Sequence, residues 1–321
     1  MSARPLFLAG ALALGACSAP PPSGEPVRIT IPRGATLGAV ADTLHAYQIV
    51  ESPRWFRLYA TVRRRDRAIQ AGVYDFYRHR PVSEVLAALV SGRAAYQRLV
   101  IPEGLMLTEI AAEVERQLGV PAESLLAATR DTAIVDQVAP GAASLEGYLY
   151  PSTYFIPVPP DARAIVAQMV REFETRWEAG WTARLDTLGL TRHQVVTLAS
   201  IIEGEVRRDR DRAYVSSVYH NRLRAGWRLQ ADPTVIYALG RRRRLYERDY
   251  LRSSPYNTYL NDGLPPGPIG QPSAASIAAT LYPASTDFFF LVAQADGHHI
   301  FSRTLAEHRA AVDRVQGART P

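Results

Sequence analysis

The chain has 321 residues, 47% of them apolar, which is enough to bury a large core and to form two or three domains. All 37 basic residues are arginine, so enzymes that depend on a lysine Schiff base or a P-loop lysine are excluded. The formal net charge is +6, but the arginines are interspersed with acids and form no basic, aromatic stripe for nucleic acid. We expect no nucleic-acid partner, whereas an anionic polymer or a membrane surface fits this charge.

An apolar segment at residues 5–16 follows Arg4 and is shorter than the roughly 20 residues that span a bilayer as a helix. Residues 1–17 are therefore expected to be a signal peptide. The segment ends in Leu-Gly-Ala-Cys, which resembles the lipobox of bacterial lipoproteins and predicts acylation of Cys17, the only cysteine. An uncleaved hydrophobic anchor is the alternative. Both possibilities place the rest of the chain on the periplasmic face of the inner membrane, beyond a Pro- and Ser-rich tether at residues 18–26.

Residues 27–44 predict a strand, a Pro-Arg-Gly turn and a helix. The pattern returns 70 residues later, where Ile-Pro-Glu-Gly at residues 101–104 precedes a helical stretch over residues 108–118. This weak repeat resembles the LysM-like modules that bind wall glycans, although a common strand-to-helix connection could also arise twice. We expect residues 27–145 to form small LysM-like modules.

From residue 161 the pattern changes to long helices, so residues 146–316 are expected to form a mainly helical catalytic domain. An apolar strand and an Asp-Gly turn near its end predict a C-terminal β-hairpin. The fold class predicted for the whole chain is α+β. Further predicted elements are a strand at 72–76, a helix at 83–90 capped by Ser83, helices at 162–176, 191–206 and 304–315, and the hairpin at 288–301.

Glu203 ends an almost unbroken apolar run that starts at residue 195. Burial favours the neutral form of a carboxyl, so this acid could give a proton to a glycosidic oxygen at neutral pH. Glu205 lies about 200° farther around a helix, so the two acids cannot act as the acid and nucleophile of a retaining glycosidase. The alternative is that Glu203 only forms a surface ion pair with Arg207 at i+4.

Six sequence blocks connect the chain to a known family. They are LEGYLYPSTY at residues 145–154, ASIIE at 199–203, NRL at 221–223, LQADPTVIY at 229–237, SPYNTY at 254–259 and GLPPGPI at 263–269. In sequence and in order they resemble the YceG-like endolytic murein transglycosylases, and the resemblance extends over residues 27–309. Many members of that family carry a full transmembrane helix, in place of which this chain has its short N-terminal segment.

The resemblance implies that Glu203 is the catalytic residue, because it occupies the glutamate position at the end of the second block. Glu203 would protonate the oxygen that links N-acetylmuramic acid to N-acetylglucosamine. The C6 hydroxyl of the muramyl residue would then attack C1, with Glu203 as base, and leave a 1,6-anhydromuramyl end. The implied substrate is the glycan strand of peptidoglycan, and the implied role is to end new strands beside peptidoglycan synthases.

Gln230, Tyr256 and Asn257 are polar enough to bind the hydroxyl and N-acetyl groups of a sugar, and they are the predicted substrate-binding residues. Asn257 could instead form a turn beside a proline, and Gln230 could cap the following helix. Glu146 is either a second active-site acid or the partner of an arginine in the fold, and the sequence favours the structural role.

The Gly- and Pro-rich segment 263–268 predicts a rigid loop, suited to one wall of a glycan groove. The arginine run at residues 241–244 is expected to be a solvated loop. The seven histidines show no metal-ligand spacing, so no metal and no cofactor are expected. His298, His299 and His308 are expected to be structural.

Two other functions remain open from the sequence. A glycan hydrolase would use the same acid but would need a second carboxylate, such as Glu146 or Glu205, to activate water. A lipoprotein without catalytic activity would bind wall glycans through its N-terminal modules and recruit the enzymes of cell-wall synthesis.

Overall fold

The computed structural model describes residues 26–92 and 96–317, which form two compact units. The first unit extends to Tyr96 and includes Pro157–Pro159, and the second contains the rest of the described chain. The predicted signal peptide, Cys17 and the tether up to residue 25 lie outside the described residues. In the described part of the chain, no helix combines the length and the apolar character that a membrane span needs.

The first unit packs three helices against one antiparallel pair of strands. Ile29 lies opposite Tyr74 in the register of this pair, and both side chains are buried in the core of the unit with Phe56. The predicted cap at Ser83 is wrong, because the third helix starts one residue earlier and Pro81 precedes it without a side-chain cap. The elements are β1 (Val27–Ile31), α1 (Leu37–Ala46), α2 (Pro53–Val62), β2 (Gly72–Phe76) and α3 (Val82–Ser91).

The second unit is mainly helical, with two further pairs of strands. Its elements are β3 (Tyr96–Val100), α4 (Leu107–Leu118), α5 (Ala122–Ala128), α6 (Thr132–Val138), β4 (Thr153–Pro157), α7 (Ala162–Arg176), α8 (Ala179–Leu188), α9 (Arg192–Glu205), a 3-10 turn (Asp209–Asp211), α10 (Arg212–Arg224), α11 (Asp232–Leu239), α12 (Glu247–Tyr250), α13 (Ala274–Leu281), β5 (Phe290–Ala293), β6 (His299–Ser302) and α14 (Leu305–Gly317). Strand β3 pairs with β4, and β5 pairs with β6 as the predicted C-terminal hairpin.

Helix α9 lies at the centre of the second unit. Thr191 caps its first turn and forms a reciprocal capping box with Gln194, which fixes where the helix begins. Every residue from 195 to 202 is buried, so this part of the helix is enclosed on all sides. A β-carbon on Gly204 would lie 2.7 Å from Cβ of Pro233, so the end of α9 packs closely against the start of α11.

The α+β class, the mainly helical C-terminal part and the terminal hairpin are confirmed. The compact units divide near residue 96, earlier than the boundary at residue 145 expected from the sequence. The reason is that α4 and α5 bury Ile110 and Leu125 in the same core as Tyr148 and Val195. The second copy of the repeat is therefore part of the larger unit.

Candidate active site

The carboxyl group of Glu203 lies in the last turn of α9 and is held through one oxygen. Its Oε2 accepts hydrogen bonds from the backbone N–H of Ser273 at 2.9 Å and from the Ser273 hydroxyl. The same oxygen lies 3.2 Å from Nη1 of Arg212. The other oxygen, Oε1, receives no hydrogen bond from the residues that the structure describes. The side chain is only 9% exposed, so its orientation is fixed by these contacts.

Arg212 begins α10 and is buried beside Glu203. Its guanidinium also donates to the hydroxyl of Ser276 and to Oδ1 of Asp209, the latter at 2.8 Å. Removing one partner of such a buried ion pair strongly destabilises the folded protein, because the other charge is left buried without compensation. In the described structure Glu203 is paired with Arg212 and not with Arg207, because α9 ends at Glu205 and the i+4 position lies beyond the helix.

Ser273 is the N-cap of α13, so the start of that helix faces Glu203. The Ser273 hydroxyl accepts the backbone N–H of Ser276 at 3.2 Å, which is an ordinary capping bond, and it donates to Glu203. The partial positive charge of a helix N-terminus stabilises a nearby anion. Arg212 and the start of α13 therefore both present positive charge to Oε2 of Glu203.

A short loop at residues 102–105 forms another side of the site. Gly104 has φ +73°, and a β-carbon built on it would lie 3.6 Å from Cγ of Glu203. The backbone of Gln271 holds this loop, since Gly104 N–H donates to its carbonyl at 2.8 Å and Leu105 accepts its N–H at 2.9 Å. Partial desolvation and then the negative charge of Glu203 raise the pKa of Glu103. Glu103 is thus a second acid within the electrostatic reach of Glu203.

Glu146 is buried and ties three segments of the second unit together. It accepts hydrogen bonds from Gln271 Nε2 at 2.7 Å, from Leu107 N–H at 3.2 Å and from the hydroxyl of Tyr237 at 3.3 Å. Burial raises the pKa of Glu146 to about 8. The contacts favour the structural role over that of a second active-site acid, and its partners in the described chain are not arginines.

Glu205 has different partners from Glu203, as expected for acids two residues apart on a helix. Its Oε1 accepts the hydroxyl of Tyr219 at 2.9 Å, and burial raises its pKa to about 7. The negative charge of Asp232 acts in the same direction. The Glu205 carboxyl therefore belongs to a polar cluster with Tyr219 and Asp232, apart from the Arg212 and Ser273 donors.

The Gly- and Pro-rich loop at residues 263–270 is anchored at several points. Ile269 N–H donates to Oγ of Ser200 at 2.9 Å, so the ASIIE block positions the loop as well as the acid. Nε2 of His193 lies 3.2 Å from the carbonyl of Pro266, and its Nδ1 lies 2.9 Å from the hydroxyl of Tyr148. Since a carbonyl only accepts, Nε2 is the donor in the bond to Pro266.

The three predicted substrate-binding residues have different surroundings. Gln230 is exposed with φ +49°, and Ala231 rather than Gln230 precedes α11 as its N-cap. Tyr256 is half-buried, with its ring 4.7 Å from that of Tyr237. Asn257 is fully buried: its amide donates to the carbonyls of two nearby residues, and its Oδ1 accepts a backbone N–H, which favours the turn-forming alternative.

Part of the arginine run is not free in solvent. Arg242 donates to both carboxylate oxygens of Glu109 and to the carbonyl of Gly104, and Arg243 forms a two-bonded pair with Asp249. The run nevertheless lies in a solvated loop, as expected from the sequence: the Arg242 side chain is 50% exposed and that of Arg243 is 25% exposed. Arg242 helps to hold the loop that carries Gly104 beside Glu203.

Three residues around Glu203 were not predicted from the sequence, namely Glu103, Arg212 and Ser273. Ser273 carried a signal, because a serine before an Ala-rich helical segment predicts an N-cap. Nothing local marked Glu103 or Arg212, since Glu103 lies about 100 residues before Glu203 and Arg212 belongs to the next α-helix.

A family model and individual relatives of known sequence match most of this chain. The sequence model of the YceG-like family matches residues 29–314. The endolytic murein transglycosylase of Bacillus subtilis (strain 168) is 31% identical over 305 residues, covering 90% of this chain and 84% of that protein. That of Streptococcus pneumoniae serotype 2 (strain D39) is 27% identical over 322 residues, covering 88% of this chain but only 58% of the pneumococcal protein.

A solved structure of a YceG-like protein has a similar fold. The crystal structure of a YceG-like protein from Listeria monocytogenes matches with a TM-score of 0.62 at 31% identity, covering 90% of this chain and 100% of that chain. The family match includes the whole of α9, the loop that carries Gly104 and the start of α13. The chain therefore belongs to the YceG-like family.

Proposed function

We propose that this protein is an endolytic murein lytic transglycosylase with Glu203 as its single acid and base. The observation that carries the proposal is the geometry of the Glu203 carboxyl. Oε2 is fully engaged by Ser273 and Arg212, whereas Oε1 has no donor in the described structure. The names of the relatives in Bacillus subtilis and Streptococcus pneumoniae support the same chemistry.

The reaction starts with a proton on Oε1, because Oε2 is already surrounded by donors. Oε1 gives this proton to the oxygen between N-acetylmuramic acid and N-acetylglucosamine as the C1–O bond breaks. Arg212 and the N–H of Ser273 stabilise the carboxylate that is left, through charge-assisted hydrogen bonds. The carboxylate then takes the proton of the muramyl C6 hydroxyl as its oxygen bonds to C1. The products are a 1,6-anhydromuramyl end and a free N-acetylglucosamine hydroxyl, so no water is consumed.

Hydrolysis is less compatible with the arrangement of the acids. A hydrolase of this type needs a second carboxylate to activate water. Glu146 and Glu205, the two candidates from the sequence, are occupied by other partners. The other described acids near Glu203 are Glu103 and Asp209. Asp209 is paired with Arg212, so Glu103 is the residue to test for that role.

We extend the proposal to the cellular setting. The short N-terminal segment that ends at Cys17 attaches the chain to the inner membrane on its periplasmic side. The first unit acts as a LysM-like module for the wall glycan, an assignment supported by its order of strands and helices. Cleavage of nascent strands next to peptidoglycan synthases would end their elongation. Unchanged strand lengths after deletion of the gene would contradict this last role.

The decisive experiment is mass spectrometry of the products from purified, uncrosslinked glycan strands incubated with the full chain in detergent. The parent should release internal fragments with anhydromuramyl ends, and Glu203→Gln should release none. Glu123→Gln, an exposed acid on α5, is the matched control and should behave as the parent does.

The other functions give different results in the same experiment. Reducing ends in place of anhydro ends, lost in Glu103→Gln, would indicate a hydrolase. Intact strands with the parent, together with glycan binding that Glu203→Gln leaves unchanged, would indicate the non-catalytic lipoprotein.

A further inference from the structure

Helix α2 of the first unit has two apolar faces. Phe56 and Ala60 are buried in the core of the unit. Trp55, Leu58 and Val62 are 54%, 54% and 71% exposed. At about 100° per residue, these three side chains fall within roughly 60° of one another and point away from the core face. They form a stripe along one side of the helix, which we call the α2 stripe.

Such a stripe is unusual for a helix on the surface of a soluble unit. The face opposite the core normally carries polar and charged residues. Isolated exposed apolar residues need no explanation, but a contiguous set on one face marks a surface that contacts something else. A tryptophan among aliphatic residues is also typical of helices at the boundary between water and lipid.

The α2 stripe is bordered by positive charge. Residues 51–67 contain six arginines and two acids, so this segment has a net charge of 6 − 2 = +4. Arg54 and the run at residues 63–65 are exposed. The guanidinium of Arg63 lies 5.4 Å from the ring centre of Tyr59, which keeps one of these charges beside the aromatic edge of the helix. An apolar stripe with a basic border is complementary to an anionic lipid surface.

We propose that the α2 stripe and its arginines dock the first unit on a bilayer that contains anionic phospholipid. Trp55, Leu58 and Val62 enter the boundary between headgroups and acyl chains, and the arginines contact lipid phosphates. The first unit directly follows the N-terminal segment, which would keep the α2 stripe near the bilayer. In this respect the inference rests on the proposed membrane attachment. The nine-residue tether at 18–26 leads directly into β1 and reaches at most about 30 Å from the anchor.

The test is quenching of tryptophan fluorescence by lipids brominated on their acyl chains. The full chain is reconstituted in vesicles of phosphatidylcholine with phosphatidylglycerol, and the parent is compared with Trp55→Phe. Trp177, Trp181 and Trp227 are present in both proteins, so the difference in quenching isolates residue 55. We expect a strongly quenched component in the parent that is absent from Trp55→Phe.

Variants at exposed positions separate the two parts of the surface without disturbing the core. Leu58→Ser with Val62→Ser should remove the quenching of Trp55. Replacing arginines of the 63–65 run by glutamine should weaken docking. Each single replacement should lower the ratio of docked to undocked helix roughly 5-fold. The matched control is Leu251→Ser, at an apolar residue that is 76% exposed in the second unit, and it should change nothing.

Three results would overturn the inference. The first is an unquenched Trp55 in vesicles that contain phosphatidylglycerol. The second is equal quenching in pure phosphatidylcholine, which would remove the role of the arginines. The third is a shift of Trp55 emission on addition of anionic wall polymer or at higher protein density, without quenching by lipid. Co-flotation of the chain with vesicles tests the anchor separately, and release of anhydro products tests the enzyme.

Discussion

A β-carbon built on Gly104 would lie 3.6 Å from Cγ of Glu203, in ordinary contact with the proposed catalytic side chain. Gly34 has the same place in the first copy of the Ile-Pro-x-Gly repeat and nearly the same backbone angle, with φ +77° against +73°. At Gly34, however, an added β-carbon meets nothing within 4 Å. The two glycines therefore form a natural pair for experiment, alike in backbone and different in their distance from the site.

We predict that Gly104→Ala lowers both stability and activity, whereas Gly34→Ala lowers stability alone. Each alanine must adopt a left-handed conformation, at a cost of about 1–2 kcal/mol in the free energy of unfolding. Only the alanine at residue 104 also strains the loop that contacts Glu203. Urea unfolding and the rate of anhydro-product release measure the two effects. Equal activity of the two variants would show that the Gly104 loop does not position Glu203.

Ser273→Ala should reduce kcat about 10-fold or more while leaving KM nearly unchanged. The substitution removes the hydroxyl donor to Glu203 but keeps the backbone N–H, and a hydrogen bond to a charged group contributes ~1.5–3 kcal/mol. It also removes the cap of α13, at a cost of ~1 kcal/mol in stability. Ser52→Ala, which removes the similar cap of α2, is the control for that loss. If both variants retained full kcat, the Ser273 hydroxyl would have only its capping role.

Glu146 should make the protein less stable as pH rises. Its pKa is about 8 in the folded chain because of burial, against an ordinary value of 4.5. Between these values the unfolded chain releases the proton and the folded chain keeps it, so the free energy of unfolding falls from about pH 5 to pH 8. Glu146→Gln removes this titration and should reduce the fall by an amount on the order of a few kcal/mol.

Urea unfolding at pH 5 and pH 8 measures this difference. A smaller slope in the same direction should remain in Glu146→Gln, because the pKa of Glu205 is also raised by burial, to about 7. Glu123→Gln, at an exposed position, should keep the slope of the parent. An identical slope in the parent and in Glu146→Gln would mean that Glu146 is ionised in the folded protein at neutral pH.

Asn257→Ala should lower the stability of the protein, whereas Gln230→Ala should affect only the binding of substrate. Asn257 is buried and satisfies three backbone groups, so its loss should cost ~1–3 kcal/mol of stability. Gln230 is exposed, and its replacement should change stability by less than about 0.5 kcal/mol. If Gln230 binds the glycan, its alanine variant raises KM at normal stability. An unchanged KM would remove it from the substrate-binding set.

Local patterns in the sequence predicted the main helices well. The helix that carries Glu203 was expected to start with Thr191 as its cap, and the structure has it at Arg192–Glu205 with that cap. The prediction worked because the capping residue, the apolar run and the helix end are all set by neighbouring residues. The C-terminal hairpin was predictable for the same reason, from its Asp-Gly turn.

The residues that contact Glu203 could not be predicted from local sequence patterns. Arg212 and Ser273 approach from other helices, and Gly104 comes from a loop about 100 residues earlier, so only tertiary packing brings them together. The compact units divide near residue 96 for a related reason. The strand-to-helix repeat looks the same in both copies, but the second copy buries its apolar face in the core that contains α9.

The donors gathered on one oxygen of Glu203 have a stereochemical consequence. In a β-linked muramyl residue the departing oxygen leaves from the same side of C1 that the C6 hydroxyl must approach to close the anhydro ring. One atom can therefore deliver and recover the proton from a fixed position, provided that the carboxyl does not rotate between the two events. Ser273 and Arg212 prevent that rotation by holding Oε2. The proposed mechanism would thus retain the configuration at the anomeric carbon with a single acid, where a retaining hydrolase employs two.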